Sequence, residues 1–310
     1  MGFLYYKAIN WNEQLDYLDQ YTWEKLTNNF WLDTRISLKE DRKIWNVLEL
    51  NKKEEICNLL ACASLNTAIQ SEIGVASLRQ NVQTQQEEAI LNVITFMESV
   101  HTKSFTTIFR SLDLNDKAYE YYQFADTNPI LQKKVNLFEH IFKNGNTFQK
   151  KAAFIFLESA LTFGCYAPIL KEKELVQSNK IIRNILQGSG LFIAYSGYKF
   201  QKAFMTLTQD SRSDFINWFK EFSAETILEE ICFYDSLSEN TRSYANNLLS
   251  YGANYAFDSM GFEKQFEEQL TPSTKVYLDS LLMTTNKFFQ QAQKCNNIYT
   301  EKTSNDDYTF

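Results

Sequence analysis

An all-α fold is what this sequence predicts, and three observations predict it. The 310 residues include 9 glycines and 3 prolines, so breakers are scarce and long helices are favoured over hairpins. Apolar residues make up 44% of the chain, enough for a large core and too many for a disordered tail or a disulfide miniprotein. Ile90, Val93, Ile94, Met97, Val100, Ser104 and Phe105 recur at three- and four-residue steps, which lines them along one helix face that must pack on other helices.

The elements follow in order. Ile9 to Leu50 carries Trp11, Trp23, Trp31 and Trp45 and reads as short helices and extended pieces laid on a bundle. Helices are then predicted near Lys53–Gly74, Gln85–Ser111, Asp116–Ala125, Pro129–Asn144 and Thr147–Tyr166. Four more fall near Val176–Leu207, Arg212–Leu237, Glu239–Met260 and Thr274–Phe289. Asp126-Thr127-Asn128-Pro129 and Asn144-Gly145-Asn146-Thr147 are turn-and-cap signals, because Asn side chains accept from the first free N–H groups of a helix. Pro129, Pro168 and Pro272 stand where helices would end or begin, and no Pro/Gly/Ser-rich linker divides the chain. A single helical domain over 1–293 is expected, followed by a polar tail, 294–310, that ends in Asp306-Asp307-Tyr308-Thr309-Phe310.

Charge and cysteine usage narrow the function classes. Lys+Arg 31 against Asp+Glu 38 gives a net charge of −7, which repels polyanions and disfavours nucleic acid as a partner. Cys57, Cys62, Cys165, Cys232 and Cys295 are odd in number, with no CxxC pair. They fit buried apolar side chains in a reducing compartment better than a zinc site. The N-terminus lacks a charged segment followed by an apolar one, and no run reaches the ~18 apolar residues of a membrane span. A cytoplasmic location, without membrane contact, is the expectation.

One motif carries chemistry. Glu98-Ser99-Val100-His101 places a carboxylate and an imidazole at i and i+3 on the apolar face of a helix. That is the spacing by which carboxylate-bridged dimetal bundles take Glu-x-x-His from each of two helices and one carboxylate from each of two others. By itself the pair is commonly a hydrogen-bonded surface feature. Glu158 adds weight: it follows Ala152-Ala153-Phe154-Ile155-Phe156-Leu157, where an ionised carboxylate needs a cation or a proton. His140, the other histidine, has no second ligand at i±3 or i±4 and reads as structural.

With these residues in view, the chain resembles the small, radical-generating subunit of class Ib ribonucleotide reductase. The likeness is carried by Lys7-Ala8-Ile9-Asn10-Trp11-Asn12, Phe30-Trp31-Leu32, Ile36-Ser37-Leu38 and Asp41 through Trp45. It continues in Met97 through Ser104, Asn128 through Lys134, Phe156-Leu157-Glu158-Ser159 and Met260-Gly261-Phe262. The resemblance implies a ferritin-like helical bundle that pairs as a homodimer. It also implies docking on a large catalytic subunit through a tail like Asp306, Asp307, Tyr308 and Phe310, and a possible flavoprotein activator. In that family a tyrosyl radical forms beside two metal ions and passes along aromatic groups; Trp31 and Tyr299 would be the radical-transfer candidates here.

Carried over residue by residue, the resemblance breaks at the centre. Glu98, His101 and Glu158 match three of six metal ligands. The other three positions hold Asn66 for a carboxylate, Ser189 for a carboxylate and Phe192 for an imidazole, and Gly188 stands for an aspartate. Phe105 occupies the radical tyrosine position and has no phenolic proton to lose. Two divalent ions carry four positive charges; the family's four carboxylates offset them, whereas Glu98 and Glu158 offset only two.

The expectation is therefore a single weakly held iron or manganese ion or none, with His101 protonated and shared between the carboxylates in the ion-free case. Tyr195 and Tyr166 are the tyrosines whose spacing from Phe192 and Glu158 directs them toward the altered centre. Three functions follow: a small-subunit component supporting deoxyribonucleotide synthesis, alone or beside an intact small-subunit paralogue; a catalytically inert protein that regulates or assembles the large subunit; or a single-metal or ligand-binding oxidase.

Overall fold

A computed structural model of the chain describes residues 8–13, 15–112, 114–284 and 287–293. Among these residues the regular structure is entirely helical. The N-terminal region folds as α1 (Tyr17–Asn28), a 3₁₀ turn (Asp33–Arg35) and α2 (Asp41–Val47). Next come α3 (Leu50–Ile69), a π-helical turn (Gln70–Gly74), α4 (Val75–Leu78) and α5 (Gln85–Ser111). α6 (Asn115–Thr127), α7 (Pro129–Asn144) and α8 (Thr147–Phe156) lead into a second π-helical turn (Leu157–Leu161). The chain closes with α9 (Thr162–Cys165), α10 (Ala167–Lys171), α11 (Val176–Phe204), α12 (Gln209–Tyr234), α13 (Glu239–Ser259) and α14 (Pro272–Leu281).

The caps lie where the sequence placed them. Asn128 accepts from the backbone N–H groups of Ile130 and Leu131 with Pro129 opening α7, and Asn146 forms a reciprocal capping box with Gln149 at the start of α8. Four helical lines make the core. α3 packs on α5, α11 packs on α5 and α8, and α13 packs on the second π turn and α9. Their facing side chains, Leu59, Leu60, Ile94, Phe105, Phe154, Phe156, Ile185 and Ile193, are fully buried.

Three predicted helices are interrupted, each for a visible reason. The helices expected over Lys53–Gly74 and Thr147–Tyr166 each pass through a π turn, which inserts one extra residue into the ladder and rotates the following side chains. In the second, the Leu157 carbonyl accepts from both the backbone N–H and the hydroxyl of Thr162, the latter at 2.7 Å. Gly252 of α13 lets the partner backbone lie against this turn: a Cβ there would sit 2.6 Å from the Ser159 carbonyl oxygen. The helix expected over Thr274–Phe289 stops at Leu281. Leu282 turns extended and buries its side chain, and the Tyr255 hydroxyl takes the Met283 carbonyl at 2.6 Å.

Candidate metal centre

The four long lines meet at one buried cluster. α5 brings Glu98 and His101, the second π turn brings Glu158, α3 brings Asn66, and α11 brings Ser189 and Phe192, all at most 1% exposed. Ligand atoms of Glu98, His101 and Glu158 lie within 4.8 Å of one another. His101 Nδ1 faces Glu98 Oε2 at 3.4 Å. The three residues expected to converge do converge.

Water is excluded, and that decides the charges. Desolvation pushes the Glu98 carboxyl up to about 8. Desolvation and then the neighbouring Glu98 charge push Glu158 up to about 8, against a smaller opposing pull from His101, Ser189 and Gln70. Burial lowers His101 to about 4, with the Glu158 charge opposing. The protons of the ion-free centre thus rest on the carboxyls and the imidazole is neutral. This corrects the expectation of a protonated His101 shared between them: a buried ring loses more by carrying a charge than the raised carboxyls lose by keeping their protons.

The remaining positions are neutral. Asn66 donates to Cys165 Sγ at 3.9 Å, and its Oδ1 has no partner among the described residues. Phe192 stacks on His101 with ring centroids 5.9 Å apart, and Trp31 stacks on it at 6.0 Å. Trp31 is held there because Asp33, in the adjoining 3₁₀ turn, accepts from Lys103 Nζ at 2.8 Å and from the Thr107 hydroxyl at 2.5 Å, both on α5. Phe105 is fully buried and stacks on Tyr166 at 6.4 Å.

The two tyrosines behave differently from each other. Tyr166 is completely buried, its hydroxyl has no partner among the described residues, and burial raises it well above its ordinary value. Tyr195 points away from the centre: its hydroxyl donates to Asp19 Oδ1 at 2.8 Å, inside a buried network where Lys199 also meets Asp16 and Asp19. Helical spacing from Phe192 brought Tyr195 to the right side of α11, but the anionic Asp19 on α1 captures its hydroxyl. His140 is exposed and bonds to Asn144. Tyr299, Asp306, Asp307, Tyr308 and Phe310 lie outside the described residues.

Sequence reasoning missed Gln70. Its amide nitrogen donates to Glu158 Oε2 at 3.3 Å and to the Phe154 carbonyl at 2.9 Å. The available signal was its position one turn after Asn66, on the same helix face.

Among the described residues the ligand group at this cluster is partial, two carboxylates and one imidazole. A single divalent ion would find two carboxylates and an imidazole within reach, and it would replace the two protons that burial forces onto Glu98 and Glu158. A second ion would meet Asn66, Ser189 and the hydrocarbon ring of Phe192, with no further carboxylate in the ligand group among the described residues.

The comparisons with known proteins point one way. A family model described as "Ribonucleotide reductase, small chain" matches residues 8–273. Subunit beta of a ribonucleoside-diphosphate reductase from Mycobacterium tuberculosis is 29% identical over 294 residues, covering 91% of this chain and 90% of that one. Subunit beta of ribonucleoside-diphosphate reductase 2 from Escherichia coli is 30% identical, covering 88% of each. Among solved structures, the dimanganese(II) form of NrdF from Streptococcus sanguinis superposes with a TM-score of 0.82 at 36% identity, covering 85% of this chain and 95% of that one.

Proposed function

Because the chain belongs to the ribonucleotide reductase small-chain family, we propose that it serves a ribonucleoside-diphosphate reductase as a class Ib-like small-subunit component whose own two-metal radical centre is degenerate. The partners on this reading are the large catalytic subunit, met through the tail 294–310, and a second small-subunit chain, either a copy of itself or an intact paralogue. One observation carries it: in the centre where the helices converge, Glu98, His101 and Glu158 are the one group of His, Cys, Asp and Glu side chains placed to hold an ion among the described residues. Phe105, at the position where the family resemblance expects the radical tyrosine, cannot hold a phenoxyl radical.

What the residues do chemically follows from burial. Glu98 and Glu158 hold protons at neutral pH and His101 stays neutral, so the ion-free site is uncharged and compatible with the apolar core. A bound ion would supply Lewis acidity there. Trp31 keeps its place against His101, but Gly188, where a Cβ would lie 3.5 Å from His101 Nε2, brings no carboxylate to that ring. That gap favours the second reading, an inert small-subunit paralogue that assembles or regulates the large subunit.

The test is metal analysis with reconstitution. Protein loaded with Mn(II) or Fe(II) and desalted is expected to hold at most one ion per chain. It should give no ribonucleotide reduction with the large subunit alone, yet change the turnover of an intact small subunit when added to it. Two ions per chain together with turnover by the unaided pair would overturn the proposal. A binary pair that never forms would remove the partner assignment.

A further inference from the structure

Two adjoining cavities of about 460 and 330 Å³ lie along α12, where it passes the end of α7 and the start of α8. Trp218 and Gln149 line both, so the two form one continuous groove. Its floor is aromatic. Trp218 stacks on Phe222 with ring centroids 5.2 Å apart and tilts against Phe215 at 5.5 Å, which fixes the indole midway along the groove. Phe148 walls the first cavity and Ile141 the second.

The rim carries charge of one sign. Asp214 lines the first cavity, Glu221 and Glu225 line the second, and no lysine or arginine lines either. All three carboxylates are exposed, and none forms an ion pair among the described residues. Lys133, whose charge reaches Glu225, is itself paired with Glu229. Positions 214, 218, 221 and 225 fall at i, i+4, i+7 and i+11 and so share one face of α12. At the helical rise they stand about 0, 6, 10.5 and 16.5 Å along its axis. The C-terminal end of α7, at Asn144, presents the negative end of its dipole to the second cavity. At the first cavity the Asn146 side chain already accepts from the N–H groups of Phe148 and Gln149 that open α8.

A row of anions interrupted by an indole, over an apolar floor, matches a chain that alternates cations with methylenes. An extended tetra-amine places its nitrogens about 0, 5, 11 and 16 Å along its length, from standard bond lengths. We propose that this groove binds a linear polyamine, its ammonium groups on Asp214, Glu221 and Glu225 and against the Trp218 ring, its methylene segments on Phe148, Phe215 and Ile141. A ring face attracts a cation, and the carboxylates flank it on both sides. An extended basic peptide carries the same charge but would press backbone N–H and C=O groups against these rings without partners. The groove shares no residue with the centre of Glu98, His101 and Glu158, so it stands independently of the reductase reading.

The test is calorimetric titration of the full-length protein with spermine at low ionic strength, beside putrescine and a tetralysine peptide. Spermine is expected to saturate at one site per chain, and putrescine, with half the charges, to bind roughly tenfold more weakly. Glu221→Gln/Glu225→Gln should weaken spermine about tenfold, and Trp218→Leu about threefold. Glu263→Gln/Glu267→Gln removes the same charge from exposed positions outside the groove and should leave the affinity unchanged. That variant separates the groove from general attraction to a chain of net charge −7. The substituted acids are all exposed, so both double variants fold and decide the matter if Trp218→Leu does not. Failure of spermine to saturate, full affinity in Glu221→Gln/Glu225→Gln, an equal loss in Glu263→Gln/Glu267→Gln, or tetralysine binding as tightly as spermine would each overturn the proposal.

Discussion

At the scale of single residues, the centre is governed by where two protons sit. Glu98 and Glu158 hold their protons up to about 8 because burial disfavours the carboxylates. Between the ordinary value of 4.5 and that raised value, the folded protein binds more protons than the unfolded chain, so stability is lost as pH rises through the window. His101 acts in the opposite sense at lower pH: held neutral down to about 4 from 6.5, it adds stability as pH rises across that interval. The melting temperature of chelator-treated protein should therefore fall from about pH 6 to about pH 8, and Glu98→Gln/Glu158→Gln should flatten the fall. Saturating Mn(II) should flatten it too, with proton release seen by calorimetry in two buffers of different ionisation enthalpy. A melting temperature indifferent to pH over that range in the ion-free wild type would contradict the assignment of the protons.

At the scale of elements, the two π turns matter more than the long regular helices. Gln70 and Glu158 each sit in one, and they are hydrogen-bonded to each other. The extra residue turns both side chains into the space between α3, α5 and α11. The second turn is clamped by α13, whose backbone approaches at Gly252. Gly252→Ala would place a methyl 2.6 Å from the Ser159 carbonyl oxygen and 2.9 Å from the Ala160 Cα, both rigid backbone atoms. It should destabilise the protein by about 1–3 kcal/mol, read from denaturant midpoints, despite alanine's better helix propensity. A neutral or stabilising Gly252→Ala would show that α13 can shift outward at little cost and that the turn is not held from this side.

At the scale of the whole molecule, the described residues keep the ferritin-like bundle, while on the proposed reading the two-metal chemistry at its middle is lost. The family match runs from residue 8 to residue 273, and the bundle superposes on a dimanganese relative. That combination suits a chain selected for its fold and its contacts. Deleting Asn305–Phe310 should abolish binding to the large subunit in a pull-down and leave the melting temperature within about a degree, since surface and terminal changes contribute little to folding stability. Binding that survives the truncation would reject the docking role of the tail.

Much of this was legible in the sequence. The long helices, the caps at Asn128 and Asn146 and the convergence of Glu98, His101 and Glu158 follow from periodicity, turn chemistry and the resemblance, because each depends on neighbours within one or two turns of chain or on matched positions. What the sequence left open depended on residues distant along the chain. The π turns need the packing of α13 to explain them, Tyr195 is claimed by Asp19 some 176 positions away, and Gln70 becomes a partner of Glu158 only when α3 and the second π turn are side by side. The protonation of the centre belongs to the same class. A sequence names the ionisable groups, but their charge is set by how much water the surrounding helices exclude, and only the assembled bundle fixes that.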